Sequence, residues 1–462
     1  MLPSLSQVID ILKNSSTSMD MELGLSLWLK DLDSFIVRLL FQRLDKELYA
    51  TYYEKGWRVD RIETRTIQFI FGEVRFERRR LRKKGEKSFL PLDKALGLEK
   101  RKHYSLNVRK KIAQMGSQMP FRQAEKSLLI SSPISASHTT IHSITQEIGG
   151  KVQAYLSQRP SKKEKRKRVS HVFIEGDGLH IAGRQTDKPV IHRVLVHEGV
   201  KADKKRHDLI KPMAFFSVKS SQEAFEQAGV YLDQTYDLRQ SIVISNSDGG
   251  SGYEADRFED IIGMCRRHEH FRDKFHVHRK IKTRLSFDKP MMNRLTRAVR
   301  AYDWKQVECV LTTVQSRIVD DSESVRVDKL EAVRKLHAYL ERNWPYVRGF
   351  YERDLEIDRG VGVCETGHRF YSYRMKRQGR SWTARGAEHV GALLTAERNS
   401  ELNIALKSEV DEHIEPLGKD LKGAVRSALR KSKTDTLRVK TGKVTNYAST
   451  SSFTGILAKM FS

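Results

Sequence analysis

Residues 170–181, Ser-His-Val-Phe-Ile-Glu-Gly-Asp-Gly-Leu-His-Ile, constrain the fold more than any other stretch of the chain. They read as an apolar strand that ends in a carboxylate flanked by glycines. Strand alternation puts Phe173, Glu175 and Asp177 on one face and Val172 and Ile174 on the other. Gly176 and Gly178 carry no side chains, so a metal ion or a phosphate has room to approach Asp177. Taken alone, the stretch is more simply a strand entering a turn, with Asp177 solvated.

The device occurs twice. Residues 241–250, Ser-Ile-Val-Ile-Ser-Asn-Ser-Asp-Gly-Gly, again run an apolar strand into an acid, Asp248, and then into glycine. Ligands of open α/β sheets gather at the carboxyl ends of strands. Two carboxylates on neighbouring strands repel unless a cation lies between them, and Mg2+ suits a few carboxylates together with phosphate oxygens. A third acid completes such a site: Glu365, in Gly-rich sequence ahead of a basic stretch, or Glu388 in Gly-Ala-Glu-His. Between these acids lie Cys265, His268, His276 and His278. Their spacing suggests zinc, but a second cysteine pair is missing and a helix would turn His276 and His278 to different faces. Asp273 and His276 read better as a carboxylate–imidazole pair one helical turn apart at the mouth of the site.

The surrounding pattern is α/β. Strands are expected near 170–181, 190–198, 209–218, 241–246 and 269–275, with helices over 220–233, 254–264 and from 276. Three antiparallel-looking strands followed by alternating helix and strand give a mixed sheet. Residues 288–350 are helical in character, and a short strand over 369–375 and a helix over 383–397 follow. Upstream, helices are expected near 4–14 and 19–55. Residues 65–82 then switch to period two, with a hairpin turn at Gly72 and Glu73. The second strand of this hairpin carries Arg75, Arg78, Arg79 and Arg80, either a phosphate-binding ribbon or an edge strand defended by charge. Within 103–157, two helices meet at a break marked by Pro133. The second is N-capped near Ser135 or Ser137 and ended by Gly149 and Gly150. Ile141, Ile144 and Ile148 mark its buried face. His138, Thr139, Thr140 and His142 stay outside, at the end that enters a major groove in helix-turn-helix proteins.

Charge supplies the partner. Lys and Arg number 85 against 58 Asp and Glu in 462 residues, a net charge of +27. The excess is clustered and points to a polyanion, with nucleic acid first. A polar linker closes with Lys165, Arg166, Lys167 and Arg168, a run suited to DNA. No apolar stretch approaches the roughly 20 residues needed to cross a bilayer, and the N-terminus lacks a secretory pattern. Three cysteines, Cys265, Cys309 and Cys364, suit a reducing compartment. A cytoplasmic, nucleoid-associated protein with no membrane partner is expected.

The chain resembles the DDE transposases of bacterial insertion sequences. The resemblance is to the ISLre-type family, formerly an uncharacterised protein family and related in layout to Mutator-type transposases. It rests on Arg65-Thr-Ile, Phe71-Gly-Glu-Val and Phe89-Leu-Pro-Leu-Asp-Lys-Ala-Leu-Gly-Leu ahead of the helix pair at 121–148. It rests also on Glu175-Gly-Asp177-Gly and Ser247-Asp248-Gly, followed by Asp273-Lys-Phe-His276, and on Glu365 upstream of Arg374, Trp382 and Gly386-Ala. The resemblance covers roughly residues 60–395 and implies an α/β fold, a ribonuclease H-like catalytic core with a mixed sheet and an all-helical insertion. A mainly helical DNA-binding region with a basic β-hairpin precedes that core.

The resemblance also implies that Asp177, Asp248 and Glu365 bind Mg2+, with Mn2+ as the alternative, and that Asp273 and His276 form the family's Asp-x-x-His pair. The family's glutamate lies on a helix, whereas Glu365 stands beside a strand-like run. Double-stranded DNA is the implied substrate, as element terminal repeats and as target, and two-ended chemistry implies a homodimer or larger assembly on DNA. Competing readings are a catalytically inactive or repurposed DNA-binding derivative and a structure-specific nuclease on the same core.

The expected division is an N-terminal helical region at 1–60, a basic hairpin region at 61–102, a helix-turn-helix region at 103–157 and a linker at 158–168. The catalytic core follows in two parts, 169–287 and 356–410, around a helical insertion at 288–355. A basic tail occupies 411–462.

Overall fold

The computed structural model describes residues 5–160, 165–184, 188–201, 208–318, 322–357 and 360–411. The expectations for linker residues 161–164 and for nearly all of the tail lie outside these residues. The chain opens with α1 (Leu5–Asn14) and α2 (Ser18–Glu54). A two-stranded sheet follows, β1 (Arg58–Phe69) with β2 (Gly72–Arg82), and then the short α3 (Pro91–Ala95). Next come α4 (Leu106–Gln118), α5 (Phe121–Ser131) and α6 (His138–Ser157). The α/β part runs β3 (His171–His180), β4 (Val190–His197), β5 (Met213–Ser217), α7 (Ser221–Thr235), β6 (Ile242–Ser247), α8 (Ala255–Ile262), β7 (Arg267–Arg272) and α9 (Lys274–Arg284). Helices α10 (Lys289–Arg300), α11 (Trp304–Arg317) and α12 (Glu323–Val347) form the block, and α13 (Val363–Met375), α14 (Ala384–Arg398) and α15 (Leu402–Asp411) complete the chain. Helix starts follow capping chemistry. Ser105, Ser137, Ser220, Asp288, Asp303 and Thr383 each accept a backbone N–H of the first turn they precede.

The contacts divide into two compact units. Among the described residues the larger comprises 5–34, 66–74 and those from 99 to 411. Its five-stranded sheet has the order β5-β4-β3-β6-β7. Strands β3, β4 and β5 pair antiparallel, and β3, β6 and β7 run parallel. Val172, Ile174 and Val243 pack against Phe225, Phe258 and Leu232 of α7 and α8 on one face. Phe173, Ile244 and Phe271 pack with Leu355 on the other. A second core joins α4, α5 and α6 to α13, α14 and α15. The helical block shares a core with α9, from Val277 and Leu295 to Val314, Leu336 and Leu340.

The smaller unit holds residues 35–65 and 75–98 among those described. It buries Leu44, Leu48, Leu81 and Leu92 beside aromatic pairs, with Phe41 edge-on to Phe76 at 5.1 Å and Trp57 edge-on to Phe89 at 4.8 Å. Its polar contacts are ion pairs. Arg65 and Arg78 both reach Asp93, Arg79 reaches the buried Asp45, and Arg80 bonds Glu63 at 2.6 Å.

Four local expectations need correction. Residues 369–375 form no strand; they end α13, because Tyr371 and Met375 are buried four residues apart on one helical face. Glu365 therefore stands in the first turn of a helix. Helix α6 does not stop at Gly149 and Gly150 but continues to Ser157. Those glycines let another backbone come close, since a Cβ on Gly149 would sit 2.6 Å from the His389 carbonyl oxygen. The β1–β2 turn falls at residues 70–71, and Gly72 opens β2 with its Cα facing the Ser34 side chain. Finally, the room made by Gly176 is filled: a Cβ there would lie 3.0–3.1 Å from Phe258, Tyr253 and Phe225. That glycine serves aromatic packing on the covered face, not ligand access.

Candidate active site

Sheet register assembles the site. The parallel ladders align Gly176 with Ser247 and Ser247 with Arg272. The next residue on each strand is an aspartate, so Asp177, inside β3, lines up with Asp248 and Asp273, just past the ends of β6 and β7, as a row across three adjacent parallel strands. Neighbouring strands are about 4.8 Å apart, which sets the scale of the row. The Asp273 N–H donates to the Ser247 carbonyl at 2.9 Å, extending the ladder to this level.

Each aspartate is fixed by backbone. Asp177 is 8 % exposed, and its Oδ1 accepts the Gly178 N–H at 2.6 Å. Asp248 Oδ1 accepts the Gly250 N–H at 2.8 Å across a turn in which Gly249 has φ +72°. Asp273 Oδ1 caps α9, accepting the N–H groups of Phe275 at 2.7 Å and His276 at 3.3 Å. That cap aims His276 back over the row, where Nδ1 lies 3.5 Å from Asp248 Oδ2.

The electrostatics follow from this geometry. Burial pushes the Asp248 carboxyl up, but His276, the Gly250 N–H and the Arg272 charge outweigh it and hold the group below the ordinary carboxylate range. His276 moves the other way. Its bond to Asp248 raises it against the cost of burial, and the fields of Asp273, Asp177 and Asp248 add to the rise. All three aspartates thus act on one imidazole.

Two side chains support the row; sequence reasoning missed Arg272 and marked Glu175. Arg272 is 6 % exposed and lies under the Asp248 turn, donating to Ser247 Oγ at 3.0 Å with its guanidinium over the Tyr346 ring. A Cβ on Gly249 would collide with that guanidinium, so the glycine makes room for Arg272. No signal in the sequence marks Arg272. Glu175 is fully buried, and its Oε1 accepts the Val363 N–H at 3.2 Å. It shares a face with Asp177 and fixes the start of α13 against β3, two residues before Glu365. The alternation seen in the sequence already singled it out.

The remaining candidates separate. The side chain of Glu365 lies outside the described residues, so the structure places its backbone alone. Glu388 receives a bond from Gln153 Nε2 at 3.1 Å and lies 3.8 Å from Lys219 Nζ, just past the β5 edge. The cysteine–histidine spacing disperses: His268 bonds Ser245 at 2.7 Å and His278 meets Arg300 at 2.9 Å. Among the described residues, no group of three or more His, Cys, Asp and Glu side chains is gathered to hold a metal by itself. Two row carboxylates do offer the hard oxygens that Mg2+ takes in small number beside water and phosphate.

Of the residues expected to meet DNA, Arg75 is exposed, whereas Arg78, Arg79 and Arg80 are half-buried in ion pairs. Thr139 and His142 are exposed near the start of α6. His138 pairs with Glu125, and Thr140 contacts the capping Ser137 hydroxyl. Lys165 to Arg168 are all exposed, with Arg166 paired to Asp233, Lys167 to Glu198 and Arg168 to Asp237. Surface pairs of this kind add little stability. No helix among the described residues is long and apolar enough to cross a membrane.

Residues 13–409 match the model of the Uncharacterised protein family (UPF0236). The chain is 39 % identical over 450 residues to a Streptococcus gallolyticus protein named for that family, the UPF0236 protein in the vanSb 3′ region. The alignment covers 97 % of this chain and 98 % of that one. Among solved structures, a Drosophila P element transposase strand transfer complex aligns with 66 % of this chain and 94 % of its own, at 10 % identity and a TM-score of 0.31.

Proposed function

Starting from the fact that the chain belongs to the Uncharacterised protein family (UPF0236), we propose that it is a DDE-type transposase of a bacterial insertion sequence, of the ISLre type. It would bind element ends and catalyse metal-dependent strand cleavage and strand transfer on a ribonuclease H-like core. The observation that carries this reading is the registered row of Asp177, Asp248 and Asp273 with His276 above it. The sheet, with three antiparallel strands followed by two parallel ones, and the helical block before α13 support the same core.

Asp177 and Asp248, with Glu365 from the first turn of α13, are the residues that would hold Mg2+ or Mn2+. When bound, a divalent cation supplies charge neutralisation and polarisation at the phosphodiester. The chain's own residues prepare the place. Glu175 docks α13 against β3, Arg272 braces the Asp248 turn, and Asp273 orients α9 so that His276 faces Asp248. His276 holds a proton at the row and offsets the mutual repulsion of its carboxylates. The nucleophile is water in cutting and a DNA 3′-hydroxyl in joining, and no covalent protein–DNA intermediate forms.

The test uses a supercoiled plasmid carrying the gene with its flanking DNA. Nicking at the element ends should require Mg2+ and fall to background in Asp177→Asn, Asp248→Asn and Glu365→Gln, with Glu388→Gln active. Nicking that survives Asp248→Asn would refute the assignment, and metal-independent binding with no nicking in any protein would favour a repurposed DNA-binding derivative.

A further inference from the structure

We infer that a cleft beside Asp273 receives one unpaired nucleobase of the DNA strand held at the aspartate row, an inference that rests on the function proposed above. The cleft encloses about 580 Å3 and runs from Asn246 and Asp273 to the backbone at Gly360 and Gly362. That size suits a ligand of nucleotide dimensions.

Three features of the cleft describe its occupant. Asn246 is 2 % exposed and lines the cleft, yet its Oδ1 has no hydrogen-bond partner among the described residues. A buried acceptor of this kind costs free energy until a donor reaches it, and base edges supply exocyclic amines and ring N–H groups. At the rim Phe275 is 54 % exposed in the first turn of α9, although its large apolar ring gains nothing from water. Such a ring is a stacking platform for a base. Beside it the exposed Lys274 offers a cation to the adjoining phosphate. The opposite wall carries glycine at 360 and 362 between Val361 and Val363, and a Cβ on Gly362, where φ is +80°, would meet nothing within 4 Å among the described residues. Asn246 belongs to the same pleat face as Glu175 and Phe271, one step below the aspartate row. A base seated there is a neighbour of the phosphodiester at the row, so the cleft reads the nucleotide beside the reacting bond.

The probe is a 20-base-pair duplex with a four-nucleotide 3′ overhang, compared with the same duplex bearing an abasic overhang. Binding to the full chain is measured by fluorescence anisotropy in Ca2+. The wild-type chain should prefer the base-bearing overhang by about tenfold or more, the range of one base–aromatic stack. Phe275→Ala, a surface change that should leave circular dichroism unaltered, should bring that ratio close to one. Asn246→Ala should reduce the differences among dA, dC, dG and dT overhangs; if it fails to fold, the Phe275 arm decides alone. A wild-type ratio near one, or a preference unchanged in Phe275→Ala, overturns the inference. Saturable competition by free dAMP or dGMP together with a flat overhang ratio also overturns it, since the source is then a free nucleotide. Binding to no duplex of any kind refutes the proposed function itself, whereas tight binding with a flat ratio refutes the base site alone.

Discussion

Gly176→Ala separates two explanations of the glycines around Asp177. If Gly176 keeps space for a ligand, an added methyl should weaken metal or DNA binding and leave stability unchanged. The structure requires the opposite. A Cβ at this position points away from Asp177 and meets Phe258 and Tyr253 at 3.0 Å and Phe225 at 3.1 Å. Three rings converge on one point, all belonging to buried residues, and Phe225 packs against both of the others. Overpacking of this kind costs about 1–3 kcal/mol, against which the lower unfolded-state entropy of alanine returns about 0.4–1 kcal/mol. A net loss of about 1–2 kcal/mol remains. Gly178→Ala is the internal control, because its Cβ would meet Tyr253 and Val190 at ordinary distances of 3.4–3.5 Å. It should change stability by less than about 0.5 kcal/mol. Urea titration read by fluorescence and circular dichroism should lower the midpoint of Gly176→Ala by about 0.5 M for a slope near 3 kcal/mol/M, with Gly178→Ala unmoved. Equal midpoints for the two variants, or a Gly176→Ala protein of native stability that has lost binding, would refute the packing argument.

Two further outcomes follow from charges in the fold. Arg79→Ala strands the buried Asp45, whose carboxyl is already pushed up by burial, and should lower stability by about 3–5 kcal/mol in urea titration; exposed Arg75→Ala should leave stability within about 0.5 kcal/mol and instead weaken DNA binding. Burial depresses His197 to about 4 and His270 to about 3, below the ordinary value of 6.5. The unfolded chain then takes up protons first, so the contribution of these imidazoles is complete above about pH 6.5 and is lost as pH falls through 6.5 toward 4 and 3. The limiting losses are about 3 and 5 kcal/mol, and urea midpoints measured from pH 7 to 4 should decline accordingly; midpoints independent of pH would show that these rings do not titrate as described.

Much of the sheet was legible because alternation and chain direction are local properties. Asp177 and Asp248 were visible as a repeated device for the same reason. Their alignment with Asp273 was not, because register among β3, β6 and β7 is set by long-range pairing that no short stretch encodes. Asp273 was half legible: its spacing from His276 pointed to a pair, while the structure makes it a helix cap that orients the imidazole. Helix α13 was misread because Phe370, Tyr371 and Tyr373 mimic strand composition, although Tyr371 and Met375 follow helical spacing. Gly149 and Gly150 looked like a stop signal, since a close helix contact and a helix end call for the same residue. Arg272 and the unmatched Asn246 amide were invisible, because their meaning lies in what surrounds them.

The position of the helical block has a consequence during synthesis. The aspartate row is complete in sequence at Asp273, but Glu365 emerges from the ribosome about ninety residues later, roughly 5–20 s at ordinary elongation rates. In that interval the growing chain must make α10, α11 and α12, which share a core with α9 and can condense without the residues still to come. Only after the block has been synthesised can the Val363 N–H of α13 reach the Glu175 carboxylate on β3. The order of translation thus keeps Glu365 away from a nascent chain that already holds the aspartate row; under the proposed function, a ribosome stalled within the block would leave a product that binds DNA without cutting it.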